Sequence, residues 1–358
     1  MSDARPAQSE EHVTSDSDVD GARDADAEGA NAEGANAEGA NAEGANAEAP
    51  RGLLSEWGVP VLLFVATIGT TLYGGAMLEK VEVRSFADLA KGWVFALPLL
   101  AILLTHELGH YVAARLHGLD VSPPHFLPVP TAFGTLGAVM GMPPIARRDA
   151  LLDVGAAGPL AGLVVAIPVL LYGLLTSEVA PLEPRGSEGV LLEGHSIVYS
   201  LLLYATHGTI PAGHDIQLTS TALAGWAGLL LTLINLVPCG PLDGGHIAYA
   251  LFGTRQDRVT RVLFVVLPLL GVGVGLWYAV PSLLAHAPRE HVLRDLQAGL
   301  HWILWGVLVA ALTRFSSGGF DHPPTQEGDE LSPKRRVVGW LCLVLFVLLF
   351  MPSWMRTY

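Results

Sequence analysis

At 358 residues, with 51% hydrophobic side chains, 15% charged ones and a mean hydropathy of +0.44, the chain is too apolar for an ordinary soluble fold, and its class is a polytopic membrane protein. The formal net charge of -14 does not mark a protein that seeks basic partners, because most of the acidic excess sits in the first fifty residues; no nucleic-acid partner is expected. Two cysteines, Cys239 and Cys342, with no CxxC pair, give no sign of a disulfide framework.

In chain order, residues 1–50 come first, rich in Asp, Glu, Ser, Ala and Gly, with the pentapeptide AEGAN repeated four times from Ala27 to Asn46. Such a segment buries too little apolar surface to fold alone and is expected to be a disordered, acidic tail. It lacks the basic start and apolar core of a cleaved signal peptide. Apolar runs of about 20 residues read as spanning helices. They are expected near 57–78, 93–117, 150–176, 219–237, 259–284, 297–313 and 337–354, seven by this count, with six or eight the neighbouring counts.

Two stretches interrupt this pattern. From Val121 to Pro144 six prolines forbid a continuous helix, while Gly134, Gly137 and Gly141 punctuate short apolar pieces, so a hairpin or re-entrant loop is expected. The fourth run breaks at Pro238-Cys239-Gly240-Pro241 and resumes as a short helix from about Asp243 to Phe252. Basic residues near the helix ends, early ones at Arg115, Arg147 and Arg148, place the N-terminal tail and the motif-bearing helix ends in the cytoplasm. The chain then divides into the tail at 1–50, a membrane core at 51–255 and further C-terminal helices at 256–358.

The second run contains Thr105-His106-Glu107-Leu108-Gly109-His110. An i, i+4 spacing stands both imidazoles on one helix face, where they can share a metal ion. Zinc suits imidazole and carboxylate ligands and keeps one position open for water in a catalytic site, and Glu107 is placed to deprotonate that water. Ionisable groups inside a spanning helix cost about 2.5–3.5 kcal/mol each on insertion scales, so three on one turn require partners or a function. The alternative is that the histidines merely hydrogen-bond to neighbouring helices. A third ligand must come from elsewhere, and Asp243, at the break in the fourth run, is the best candidate. It could equally cap the short helix that begins there, and one carboxylate can do both.

An HExxH in a spanning helix followed by Asn235-Leu236-Val237-Pro238 and then Asp243-Gly244-Gly245 resembles the site-2 protease family of intramembrane zinc metalloproteases, over roughly residues 57–255. The resemblance implies that His106, His110 and Asp243 bind one Zn2+ ion, that Glu107 is the general base, and that Asn235 holds the substrate or its developing oxyanion. It also implies an all-α polytopic fold of about six to seven transmembrane helices with a membrane-embedded β-hairpin between helices 2 and 3. Phe133-Gly134-Thr135-Leu136-Gly137-Ala138 is the most recognisable part of that hairpin, which would clamp an unwound substrate. The expected activity is hydrolysis of peptide bonds in or near transmembrane segments of membrane proteins, in the cell membrane. The third run opens on Gly155-Ala156-Ala157-Gly158-Pro159-Leu160-Ala161-Gly162, a small-residue face suited to close helix packing.

Other candidates carry less. His246 could contact the ligands, His125 could face the cavity, His195, His207 and His214 fit no metal spacing and read as solvated, and Cys239 reads as a small buried apolar residue. Two other classes compete with the protease reading. A metal-ion or proton transporter would need more than one polar layer, whereas these polar residues collect at one depth; a catalytically silent scaffold would not need an intact motif. The loop from Ser177 to Leu218 has no room for an inserted PDZ-type domain.

Overall fold

The computed structural model describes residues 53–131, 133–182, 191–316 and 330–357; the expected acidic tail lies outside them. The chain begins with α1 (Leu53–Leu78), the short α2 (Phe86–Ala90) and α3 (Trp93–Leu116). Strands β1 (His125–Pro128) and β2 (Thr135–Val139) come next, then α4 (Arg148–Leu175) and β3 (Glu178–Pro181). After these lie β4 (Leu191–Glu193), α5 (Ile197–His207), β5 (His214–Gln217), α6 (Ser220–Leu236) and α7 (Asp243–Phe252). The chain closes with α8 (Arg255–Leu284), α9 (Arg289–Gln297), α10 (Leu300–Ser316), α11 (Pro333–Leu349) and β6 (Met355–Thr357).

Among the described residues, five helical segments are long and apolar enough to cross a membrane, at Glu56–Leu78, Trp93–Leu116, Arg148–Leu175, Arg255–Leu284 and Arg289–Arg314. At 1.5 Å per residue even the shortest reaches about 35 Å, beyond the ~30 Å hydrocarbon layer. The runs expected near 219–237 and 337–354 fold as 17-residue helices, α6 and α11, about 25 Å long. Both are shorter than the five long segments. The Val237 to Leu242 turn cuts α6 short, and Phe350 to Ser353 ends α11 before its apolar stretch is complete.

The centre of the bundle is α3, α4 and α6. Lipid supplies no hydrophobic drive between helices, so their packing depends on small residues that let backbones approach. Gly109 sits where a Cβ would lie 2.6 Å from the Ala157 carbonyl, and Gly225 where one would lie 2.5 Å from the Leu170 backbone. Between them lie Leu99, Ile102, Leu103, Ala166, Leu170, Trp226, Leu229 and Leu233, all buried. Helix α11 packs across α4, α6 and α7.

The proline-rich segment is the antiparallel pair β1–β2, with His125 opposite Val139, Phe126 opposite Ala138 and Pro128 opposite Thr135, irregular between Phe126 and Pro128. Thr70 of α1 donates its hydroxyl to the Gly134 carbonyl at 2.6 Å. Phe126 packs on Phe64 of α1 and Phe133 stacks on Phe95 of α3, so the pair is fastened to the first two long helices. The segment between α4 and α6, read from sequence as a plain loop, carries β3 paired with β5 and β4 paired with the C-terminal β6. There Tyr199 donates to the Glu193 carboxylate at 2.6 Å, and burial of Glu193, only partly offset by that bond, holds its pKa above the usual carboxylate range. His207 is not simply solvated, since its Nε2 lies 3.2 Å from the Ser177 carbonyl; His195 and His214 are exposed.

A charged cluster joins the helix ends on one side of the bundle. Arg335 of α11 grips Asp153 of α4 in a bidentate pair at 3.0 and 2.7 Å and reaches Asp149 at 3.3 Å. His117, at the end of α3, meets the same Asp153 at 2.9 Å. Arg148 donates to the Ala250 carbonyl at the end of α7.

Candidate metal centre

Helix α3 places His106 and His110 one turn apart on the face turned to α4 and α6, and both are buried, as is Glu107 between them in sequence. After α6 ends, the Pro238–Pro241 turn swings the chain so that Asp243 starts α7 facing the two rings. The capping reading of Asp243 is not what the structure holds: Leu242 is the N-cap residue, with no side-chain cap hydrogen bond. The carboxylate points at the histidines instead.

The Nε2 atoms of His106 and His110 are 3.1 Å apart, and Asp243 Oδ2 lies 3.4 Å from the first and 3.2 Å from the second. Four ligands at the 2.0–2.1 Å bond lengths of zinc stand about 3.3–3.4 Å from one another in a tetrahedron. The three atoms are therefore spaced as three corners of such a site, and their nitrogen and oxygen chemistry suits the same ion. Among the described residues this is the one group of at least three His, Cys, Asp or Glu side chains that converges on a common point.

His110 is held for this role by α4. Its Nδ1 lies 2.8 Å from the Val154 carbonyl, which can only accept, so Nδ1 carries the proton and Nε2 presents its lone pair. The ring reaches that carbonyl by passing over Gly158, one turn further along α4, where a Cβ would lie 2.0 Å from His110 Nε2. Gly162, one turn beyond, faces His106 less tightly, at 3.3 Å. The glycine-rich start of α4, read from sequence as packing, thus also makes room for the imidazoles. A backbone carbonyl leaves no mark in a sequence, so Val154 could not have been found there; the i, i+4 glycines were visible, but not what stood opposite them.

Asn235, in the last turn of α6, brings Nδ2 to 3.4 Å from His106 Nε2, beside the group formed by His106, His110 and Asp243, and Glu107 is buried on the same turn of α3 as His106. His246 lies on α7 against Gly155 of α4, His125 pairs with Val139 in the strand pair, and Cys239 is fully buried in the apolar cluster with Leu267 and Trp302. None of these three belongs to the converging group.

Peptidase family M50 matches residues 94–270, a stretch containing every one of these groups. The chain is 33% identical over 227 residues to a probable zinc metalloprotease EGY2, chloroplastic, of Oryza sativa subsp. indica, covering 61% of this chain and 40% of that protein. It is 29% identical over 332 residues to a probable zinc metalloprotease EGY1, chloroplastic, of Arabidopsis thaliana, covering 84% and 54%. A probable zinc metallopeptidase EGY3, chloroplastic, of the same plant is 26% identical over 328 residues, covering 82% and 50%. The chain spans about half the length of the relatives it matches. No solved structure matches it.

Proposed function

Because the chain belongs to peptidase family M50, the site-2 protease family that its motifs resemble, we propose that it is an intramembrane zinc metalloprotease that hydrolyses peptide bonds in or near transmembrane segments of membrane proteins. The observation that carries this reading is the spacing of 3.1, 3.2 and 3.4 Å among His106 Nε2, His110 Nε2 and Asp243 Oδ2. These residues would hold one zinc ion. When bound, zinc supplies a Lewis acid for the peptide carbonyl and eases ionisation of water near neutral pH.

The chain's own groups do the rest. Glu107, buried on the same turn, takes the proton of the attacking water and returns it to the leaving amine. The Asn235 amide, beside the ligands, donates to the negative charge that develops on the carbonyl oxygen. Val154 keeps His110 in the tautomer that leaves Nε2 free.

A peptide inside a spanning helix must unwind before it can be cut, and its freed backbone groups then need partners. The edge of β2, whose Leu136 and Val139 are exposed, offers them by strand addition. On this reading β1–β2 lies within the membrane, α6 and α11 complete seven spans, and the charged cluster of Arg335, Asp153 and Arg148 marks the cytoplasmic face of a cell membrane.

The test is cleavage of a membrane-spanning substrate by purified full-length protein. Wild type should cleave and chelator should stop it. Glu107→Gln should retain zinc and lose about 10²- to 10⁴-fold in rate, the usual contribution of a general acid–base. A variant cutting at the wild-type rate would overturn the assignment and favour transport or scaffolding.

A further inference from the structure

The turn between α6 and α7 departs from helical hydrogen bonding inside an apolar body. Val237 and Cys239 are fully buried there among Leu267, Trp302 and Val309. Irregular backbone of this kind persists in an apolar setting only where protein groups satisfy it. Pro238 and Pro241 have no N–H to give, and Gly240, with φ of +56°, presses so close to α10 that a Cβ would lie 2.5 Å from Thr313 Oγ1.

Two side chains of α8 answer the exposed groups. The Gln256 amide donates to the Pro238 carbonyl, and the Gly240 N–H donates to Thr260 Oγ1 at 3.4 Å. Gln256 and Thr260 stand one helical turn apart on one face, with 3.4 Å between their polar atoms, and are only 2% and 4% exposed. Gln256 Oε1 is buried without a protein partner, so this position keeps an amide at a cost in stability that an apolar residue would avoid. Packing alone does not account for that choice.

The turn is rigidly joined to α7. At Gly244 a Cβ would fall 2.1 Å from the Leu236 carbonyl, and at Gly245 one would fall 2.3 Å from the Gly240 carbonyl. A displacement of the turn is therefore passed directly to Asp243, three residues beyond Gly240. We infer that Gln256 and Thr260 are positioning residues for Asp243: a brace from α8 that fixes the turn and so the third corner of the metal centre. The inference rests on the zinc reading of that centre.

The experiment uses full-length Gln256→Met, Thr260→Val and Thr260→Ser proteins alongside wild type. Zinc affinity is measured by competition with a chromophoric chelator, site geometry by the visible spectrum of the Co2+-loaded protein, and cleavage by separate kcat and KM values. Gln256→Met and Thr260→Val should weaken zinc about tenfold, the lower range for groups that orient metal ligands. They should also alter the cobalt spectrum and lower kcat with KM unchanged, while Thr260→Ser restores all three. Wild-type zinc affinity and an unaltered cobalt spectrum in both variants would overturn the brace and leave the metal centre standing; a wild-type protein that binds no zinc would overturn both. Should Gln256→Met not fold, the Thr260→Val and Thr260→Ser pair decides by the same measurements.

Discussion

Replacing Gly158 with alanine adds one methyl group to α4, and the structure makes that methyl a direct test of the metal centre. The new Cβ would stand 2.0 Å from His110 Nε2, 2.4 Å from Cδ2 and 2.5 Å from Cε1, whereas non-bonded heavy atoms rest at about 3.5–4.0 Å. The ring must therefore retreat by about 1.5 Å, against a tolerance near 0.2 Å for metal–ligand distances. The same movement breaks the 2.8 Å contact with Val154. The helix itself should not suffer, since alanine is favoured over glycine in a helix interior by about 0.8–1.0 kcal/mol. Thermal unfolding in detergent, with and without zinc, separates the two effects. Zinc at one hundred times its Kd should stabilise wild type by about 2.7 kcal/mol, and this increment, taken against each protein's own metal-free unfolding, should vanish in Gly158→Ala. Gly162→Ala is the matched control: its Cβ would meet His106 at 3.3 Å, a crowding of a few tenths of an ångström, and the zinc increment should survive. A Gly158→Ala protein stabilised by zinc as strongly as wild type would refute the placement of His110 as a ligand.

Asp243→Asn keeps the shape of the third ligand but removes its charge, and zinc affinity measured by chelator competition should fall about tenfold or more; unchanged affinity would remove Asp243 from the set. Arg335→Ala leaves Asp153 to His117 alone and should lower stability by about 1–2 kcal/mol, discounted because both side chains are near one-third exposed. A double-mutant cycle of Arg335→Ala with Asp153→Ala, followed by thermal unfolding, should show a favourable coupling between the two, and additive losses would argue against a direct pairing. Glu193 binds its proton more tightly in the folded state than in the unfolded one, so the folded state holds more protons as pH climbs out of the ordinary glutamate range. Stability should accordingly fall with rising pH across that window. In Glu193→Gln that part of the slope should be missing when unfolding is followed across a pH series.

The sequence by itself determined what depends on neighbours a turn away. Helix periodicity stood His106 and His110 on one face, the apolar run around them made their burial costly enough to require a partner, and the Pro238–Pro241 stretch located the end of α6 and the start of α7 at Asp243. The same local rules found the apolar runs of α6 and α11 but not where their helices stop, because hydropathy counts apolar residues whether or not the backbone stays helical. They also left Asp243 between capping and coordination, since either role suits an aspartate after a turn. Tertiary structure decided these points. Only the placement of α4 against α3 shows that Val154 holds His110 by a backbone carbonyl, that Gly158 leaves space for the ring, and that Arg335 meets Asp153 across 182 positions. Such contacts depend on distances between segments far apart in the chain, and those distances are set by how close glycine and alanine surfaces let the helices come, which no pattern along a single helix encodes.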